Sequence, residues 1–115
     1  MDIERRHTGP RMSQLVIHGN TIYLAGQVAE RPEGDTAAQT REVLGKIERL
    51  LQEAGSSKSK ILATTVYLAD IRDFAAMNAV WDAWIDPANP PARTTVQARL
   101  ARPELRVEMT VIAAK

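Results

Sequence analysis

Two charged residues, Arg93 and Glu108, interrupt the two apolar segments near the end of the chain. The planar guanidinium of arginine binds a carboxylate through two parallel hydrogen bonds and stays charged at any physiological pH. Glutamate can orient a water molecule and accept a proton from it. The pair therefore predicts a site that holds a small amino or imino acid by its carboxylate and directs water at the neighbouring carbon. The backbone N–H of Gly26, in the segment LAGQ, is a further candidate donor to such a ligand.

The sequence offers little for other kinds of chemistry. Cysteine is absent, which excludes thiolate catalysis and cysteine-ligated metals. His7 and His18 have no further ligands at a metal-binding spacing, so both are interpreted as surface residues. No serine stands in a nucleophile elbow, and no glycine-rich loop is suited to phosphate. We expect neither a metal nor a cofactor.

The first elements that must position these residues form a predicted hairpin. Residues 15–18 and 21–28 are rich in strand-forming types, and Gly19-Asn20 between them is typical of a tight turn with positive φ. A loop is expected over 29–34. The polar N-terminal segment that contains ERRH is predicted to be solvated.

Two helices and a strand follow. A helix is predicted over 35–54, with Asp35 as its N-cap and Gly55 as its stop. A strand over 63–68 precedes a second helix that begins at Asp70. That helix has a large apolar residue at every third or fourth position, namely Phe74, Met77, Trp81 and Trp84. We interpret this stripe as core packed on the sheet rather than as a ligand-binding box.

The last two strands, over 93–99 and 106–113 with a link around Pro103, are predicted to pair as a second hairpin. A turn centred near 102–103 would place Glu108 opposite residue 97. Arg93 would then lie four residues further along, on the order of 13 Å away. A site that uses both residues is therefore expected between two subunits.

Strand alternation sorts these side chains into two faces. If the apolar set faces the helices (Thr94, Val96 and Ala98 in the first of the two strands), Arg93 and Glu108 both emerge on the opposite face of the sheet. That face would also carry aromatic and aliphatic residues of the first hairpin, which makes it too apolar to be simply solvated. A closed homo-oligomer is the prediction.

Length and composition bound the class of protein. The chain has 115 residues, one domain's worth, with a formal charge of +1 and only 4% aromatic residues. A near-neutral chain lacks the basic face expected of a nucleic-acid partner. No apolar run approaches a membrane span of ~20 residues, and the N-terminus has no signal-peptide core. We therefore expect a single domain over 1–115, a cytoplasmic location, and no membrane or nucleic-acid partner.

The segment NPPARTTVQARLARPELRVEMTVIAA resembles the signature of the Rid family, the reactive intermediate (enamine and imine) deaminases, also called the YjgF type. The similarity extends to GNTIYLAGQV and TTVYLADIRDFAAMNAVWDAW, and so covers nearly the whole chain. Within the family it is most similar to the YoaB-like subgroup, through Arg11 to Ser13 and the AMNAVWDAW helix.

The resemblance implies an α+β fold of the chorismate-mutase-like kind. A single mixed sheet would carry two helices on one face, and three sheets would form the central barrel of a homotrimer with sites between subunits. It implies hydrolysis of 2-aminoacrylate and related enamines or imines to 2-oxo acid and ammonia, which protects pyridoxal-phosphate enzymes from damage. No cofactor is implied, and the ligand would be a small imino acid or 2-oxo acid.

The resemblance also assigns individual residues. Arg93 matches the arginine that binds the substrate carboxylate, Glu108 the glutamate that orients water, and Gly26 the glycine that contacts substrate through its backbone. Three positions depart from the best-studied members, which have serine at Ala25, tyrosine at Arg11 and often cysteine at Thr95. These departures predict an altered substrate preference. Asn89, in the loop before Arg93, is placed at the border of the pocket.

Alternative interpretations of the pair remain. Arg93 could be a structural arginine of a subunit interface, with Glu108 its partner across that interface, and Arg11 could pair with Glu108 and quench it. The trimer could be a non-catalytic or regulatory binder of a carboxylate metabolite. An endoribonuclease or translation inhibitor is the least favoured function, because the chain offers few rings on which bases could stack.

Overall fold

The computed structural model describes residues 1–115, and its first elements are three antiparallel strands. Strands β2 (Ser13–His18) and β3 (Thr21–Leu24) form the predicted hairpin. Gly19 at the turn has φ +62°, and Asn20 does not share a positive φ, so the glycine alone supplies the left-handed position. Strand β3 ends at Leu24 and is shorter than the predicted strand over 21–28. Beyond it, only an isolated bridge between Gln27 and Met109 continues the pairing.

Strand β1 (Ile3–Thr8) was not predicted as a strand. It pairs antiparallel with β2, although most of its side chains are exposed, as expected for a solvated segment. The sequence did not predict this strand because it lacks apolar alternation. It is an edge strand, held by backbone hydrogen bonds to a single neighbour. Contacts with the end of the first helix add to these bonds, where the guanidinium of Arg6 donates to the carbonyl of Glu53.

The first helix, α1 (Thr36–Glu53), matches its prediction closely. The carboxylate of Asp35 accepts a hydrogen bond from the N–H of Ala38 at 2.9 Å, which is the expected N-cap. Gly55 adopts φ +82° just beyond the last turn. Its apolar stripe is buried at Val43, Leu44, Ile47 and Leu51.

The middle of the chain forms a strand, a helix and a second strand. These are β4 (Ile61–Leu68), α2 (Phe74–Trp84) and β5 (Ala92–Gln97), and β5 runs parallel to β4. Asp70 does not begin the helix directly: it caps a single 3₁₀ turn, Ile71–Asp73, that leads into α2. A parallel pair needs a crossover connection, and α2 supplies it.

The predicted second hairpin is wrong. The last strand, β6 (Val107–Ala114), pairs with β3 on one side and β4 on the other, so the order of the sheet is β1-β2-β3-β6-β4-β5. Glu108 therefore lies opposite Tyr67 of β4 rather than residue 97. The physical reason is that β6 buries a full apolar face (Val107, Met109, Val111 and Ala113) and is stabilised by a neighbour on each side.

Both helices pack on one face of this mixed sheet. A single core joins the stripe of α1, Met77 and Trp81 of α2, and the inward residues of β2, β3, β4 and β6. This confirms the predicted α+β class with two helices on one side. The opposite face is uncovered within the chain, and Tyr23 and Val96 on it are 43% and 40% exposed. The arrangement of several sheets around a barrel concerns more than one chain and stays a prediction.

Gln39 of α1 joins the loop that precedes this helix to the segment that leads into β6. The side chain is almost fully buried, and its amide nitrogen donates to the carbonyls of Pro32, Gly34 and Glu104. Its amide oxygen accepts from the N–H of Arg106 at 2.8 Å. One side chain thus satisfies four backbone groups and fixes the segment that leads into β6.

Replacing Gln39 with leucine should destabilise the fold strongly. Three carbonyls and one N–H would lose their partner at once, and we expect the free energy of unfolding to fall by about 3 kcal/mol. Urea titration at fixed protein concentration measures this. Gln52→Leu, at an exposed position of the same helix, is the matched control. Equal stability of the two variants would contradict the role given to Gln39.

Candidate functional site

Arg93 lies on the face of the sheet that the helices cover, which corrects the prediction that it emerges on the opposite face. It pairs with Thr64, a residue of β4 whose side chain is buried under the helices. Paired residues of neighbouring strands share a face, so Thr94 and Val96, not Arg93, point away from the helices. The reason is that β5 is an edge strand that α2 only partly covers, where the long stem of an arginine can pack and its charged end reach the surface.

Four residues on one side of α2 surround the guanidinium of Arg93. Its Nη2 donates to Asn78 Oδ1 at 2.7 Å, and its Nη1 lies 3.9 Å from the sulfur of Met77. The guanidinium carbon is 5.1 Å from the ring centre of Trp81 and 5.9 Å from that of Phe74. The positions 74, 77, 78 and 81 form a helical stripe beside Arg93. Met77 and Trp81 lie in the core and Trp84 packs against it, as predicted, whereas Phe74, the first residue of α2, is 43% exposed and corrects the prediction for that position.

The positive charge of Arg93 is stabilised by uncharged groups and is not paired with a carboxylate. No carboxylate lies within ion-pair distance of it, and none of the ion pairs of the chain includes it. Burial lowers the pKa of Arg93 from its ordinary value, and the more distant Asp82 opposes that change. Because the ordinary pKa is so high, the group stays protonated. It is a half-buried cation with donors free for an anion.

Glu108 is placed against Gly26. A Cβ atom at position 26 would overlap Oε2 of Glu108 and would come within 3.0 Å of its carboxyl carbon. Only glycine leaves this space, so its absent side chain lets the carboxylate reach the backbone of the LAGQ segment. Sequence reasoning thus named two residues that the fold brings together.

Gly26 and Glu108 line an open cleft of about 890 Å³. It lies between α1, the turn joining β1 to β2, and the loop over 101–105. The cleft holds three carboxylates, of which Glu30 pairs with Lys46, and Glu53 pairs with His7 and Arg6. The hydrogen bond from His7 is the main cause that lowers the pKa of Glu53. Glu108 alone has no cationic partner.

Arg93 and Glu108 do not meet within one chain. They flank β4 on its two sides, opposite Thr64 and Tyr67 respectively, so they differ by three residues along the strand and two strand spacings across it. Strand geometry puts their Cα atoms roughly 14 Å apart, and their side chains leave opposite faces. The separation agrees with the sequence estimate, although the hairpin register from which that estimate came is wrong.

The family model described as endoribonuclease L-PSP matches residues 5–115, which is nearly the entire chain. The RutC family protein YoaB of Escherichia coli is 46% identical over 114 residues and is covered, like this chain, to 99%.

The chain belongs to the endoribonuclease L-PSP family.

Solved structures of relatives share its architecture and carry the Rid and YjgF names. A member of the YjgF protein family from Neisseria meningitidis is 49% identical, with a TM-score of 0.95 over 100% of this chain and 96% of that one. A protein of unknown function of the Rid family from Yersinia pestis is 30% identical. Its TM-score is 0.87, over 94% of this chain and 90% of that one. The resemblance read from the closing signature is thereby confirmed.

Three further positions singled out through the family resemblance lie apart from one another. Ala25 precedes Gly26 and is half-buried, and its N–H donates to the carbonyl of Gln14. Thr95 lies on β5 on the same face as Arg93, opposite Val66. Arg11 is exposed in the turn between β1 and β2, at the other edge of the sheet from β5, and it forms no ion pair with Glu108.

Asn89 has a defined role in the turn that leads into β5. Its amide nitrogen donates to the carboxylate of Asp86 at 2.9 Å, and its N–H donates to the carbonyl of the same residue. The N–H of Ala88 and the hydroxyl of Ser59 also donate to that carboxylate. In this chain Asn89 therefore closes the turn. Sequence reasoning missed Asn78, whose signal was its place one residue after Met77 in the stripe of α2.

No helix of the structure has the length and apolar character that crossing a membrane requires.

Replacing Asn89 with alanine should raise the pKa of Asp86. The hydrogen bond from Asn89 is the main cause that holds this pKa below its ordinary value. A lowered pKa in the folded state gives stability above the ordinary pKa and loses it as pH falls through the folded value. The variant should therefore lose less stability on acidification than the wild type. Carboxyl NMR titration measures the midpoint, Asn20→Ala is the control, and an unchanged midpoint would contradict the assignment.

Replacing Gly26 with alanine should displace Glu108 without unfolding the protein. The atoms that a methyl group would meet are the end of a flexible side chain, which can rotate away, and Gly26 has no positive φ to protect. We expect the free energy of unfolding to change by less than about 1 kcal/mol. Urea unfolding and a crystal structure test both parts.

Gly45→Ala is the matched control for that substitution. Position 45 lies within α1, and the nearest atom to an added Cβ is Arg49 Nη1 at 3.5 Å, an ordinary contact. The control should be neutral or slightly stabilising, since alanine favours a helix over glycine. A carboxylate of Glu108 that stays in place in Gly26→Ala would show that the steric relation is wrong.

Proposed function

We propose that the protein hydrolyses small 2-imino acids, formed from enamines such as 2-aminoacrylate, to 2-oxo acids and ammonia. The observation that carries this proposal is the half-buried guanidinium of Arg93, which has no carboxylate partner of its own. Such a group is suited to the carboxylate of a ligand. The removal of reactive imines would protect the pyridoxal-phosphate enzymes that release them.

The chemistry requires a water molecule, a proton acceptor and no cofactor. The substrate carboxylate binds Arg93, and Glu108 accepts a proton from water as its oxygen bonds to the imine carbon. Glu108 returns this proton to the imine nitrogen, which then takes the remaining proton of the added hydroxyl group as the carbon–nitrogen bond breaks, so that ammonia leaves, a 2-oxo acid remains and Glu108 is ionised again. The N–H of Gly26 is a candidate donor to the polar groups at the reacting carbon. The contact between Gly26 and Glu108 favours this function over simple carboxylate capture, which has no use for a nearby unpaired carboxylate.

The proposal includes an assembly, because Arg93 and Glu108 leave opposite faces of one sheet. We propose a homotrimer in which the open sheet faces meet around a central barrel. One chain would supply Arg93 and Thr95 from its β5 edge. Its neighbour would supply Gly26, Ala25 and Glu108, with Arg11 at the mouth. An alanine at position 25 offers no hydroxyl to the ligand, and this is the basis for an altered preference among imines.

Substituting Arg93 should remove most of the acceleration of imine hydrolysis. Loss of two charge-assisted hydrogen bonds costs about 3 kcal/mol, so kcat/KM should fall about 100-fold in Arg93→Ala. The assay follows 2-oxo acid and ammonia released from enzymatically generated 2-aminoacrylate and 2-iminobutyrate, against a reaction without protein. Glu108→Gln should lower kcat with little effect on KM. No acceleration by the folded wild type would reject the enzyme and favour a carboxylate-binding protein.

Mixing the two variants tests whether a site is shared between chains. After joint refolding of Arg93→Ala with Glu108→Gln, a site built from two chains is intact when each chain supplies its unmutated residue. At equal amounts and random assembly, activity should return to roughly a quarter of the wild-type value. Sites contained in one chain would regain nothing, and that result would reject the shared site while leaving the activity itself in place.

A further inference from the structure

The side chain of Asn78 supplies a neutral hydrogen-bond acceptor to the guanidinium of Arg93, and none of the residues assigned to the site does so. Its Oδ1 lies 2.7 Å from Nη2 of Arg93 and is the only hydrogen-bond acceptor oxygen that the chain offers this guanidinium. Asn78 lies on α2, between the two buried residues Met77 and Trp81 of the same stripe. The helix fixes its backbone on the side of α2 that faces Arg93, and the hydrogen bond to Nη2 is the contact made by its amide.

We propose that Asn78 is a positioning residue that fixes the orientation of the Arg93 guanidinium while leaving its positive charge available to a ligand carboxylate. This inference rests on the proposed role of Arg93 in carboxylate binding. An amide oxygen is a neutral acceptor, so it restrains the fork without cancelling the charge. A carboxylate at the same place would form an ion pair with Arg93 and compete with the ligand.

The surroundings of Arg93 support the same interpretation. The ring of Trp81 lies 5.1 Å from the guanidinium carbon, and that of Phe74 lies 5.9 Å from it. Both rings attract a cation although they carry no net charge. The acidic residue that most affects Arg93 is Asp82, which exerts its effect through space rather than by direct contact. Every group in contact with the guanidinium is therefore uncharged, and Asn78 is the one that fixes its rotation.

Two substitutions of Asn78 separate positioning from structural support. Asn78→Asp keeps the shape of the side chain but adds a charge, and the new ion pair with Arg93 should hold or raise the Tm. Its affinity for 2-oxobutyrate should nevertheless fall at least ~10-fold, since ligand and side chain compete for one cation. Asn78→Ala should lower affinity only about 5-fold, because the fork loses one restraint but keeps its charge.

Binding of 2-oxobutyrate is measured by isothermal titration calorimetry, with tryptophan fluorescence as a second signal because the ring of Trp81 lies against Arg93. Asn20→Asp, at the exposed hairpin turn, is the control for a change of one unit in net charge. Thermal unfolding of all variants at one protein concentration supplies the Tm values. A role limited to packing would lower affinity and Tm together in both variants of Asn78.

The outcomes distinguish the inference from the function on which it rests. Lower affinity of Asn78→Asp with an undiminished Tm supports the positioning role, whether or not the wild type hydrolyses imines. Equal affinity of Asn78→Asp, Asn20→Asp and the wild type overturns it, even where imine hydrolysis is intact. A wild type that binds no 2-oxobutyrate at millimolar concentration, although it hydrolyses imines, also overturns it, because Arg93 would then hold no carboxylate.

Discussion

The half-buried charge of Arg93 is the constraint on which the rest of the site depends. Withdrawing a guanidinium from water is unfavourable unless its N–H groups and its charge find partners. The chain provides them with an amide oxygen, two aromatic rings and a sulfur, all on α2, and with no carboxylate. The cation is thereby stabilised and kept available. A carboxylate partner would stabilise it further but would neutralise its charge and occupy its N–H groups.

The topology of the sheet explains why α2 and Arg93 meet, and also why Glu108 is remote from them. A parallel connection from β4 to β5 requires a helix across one face of the sheet, and that helix is α2. Arg93 is the second residue of β5 and lies beneath it. The strand β6 occupies the opposite side of β4, where Glu108 alternates with the buried residues Val107 and Met109 and so points to the uncovered face.

Local signals predicted the elements well, whereas the order of the strands was beyond them. The cap at Asp35 and the glycine at position 55 fixed α1 almost to the residue, because both act within one turn of the chain. The partners of β6 are strands that lie far from it in the chain, and nothing within 93–113 indicates that β4 lies between the last two strands. Alternation likewise divides β5 into two faces but does not say which is inward, so the contact of Arg93 with Trp81 was not foreseen.

An incomplete site and an uncovered sheet face are two aspects of one arrangement. Tyr23 and Val96 leave aromatic and aliphatic surface exposed on the face from which Glu108 emerges, while Arg93 reaches the surface at the edge beneath α2. Contact between that face and further copies of the chain would bury apolar surface and bring the two charged residues toward a common space. In such an assembly the free energy that stabilises the subunits also completes the site. Activity and stability would then depend on protein concentration in the same way, because the association equilibrium governs both.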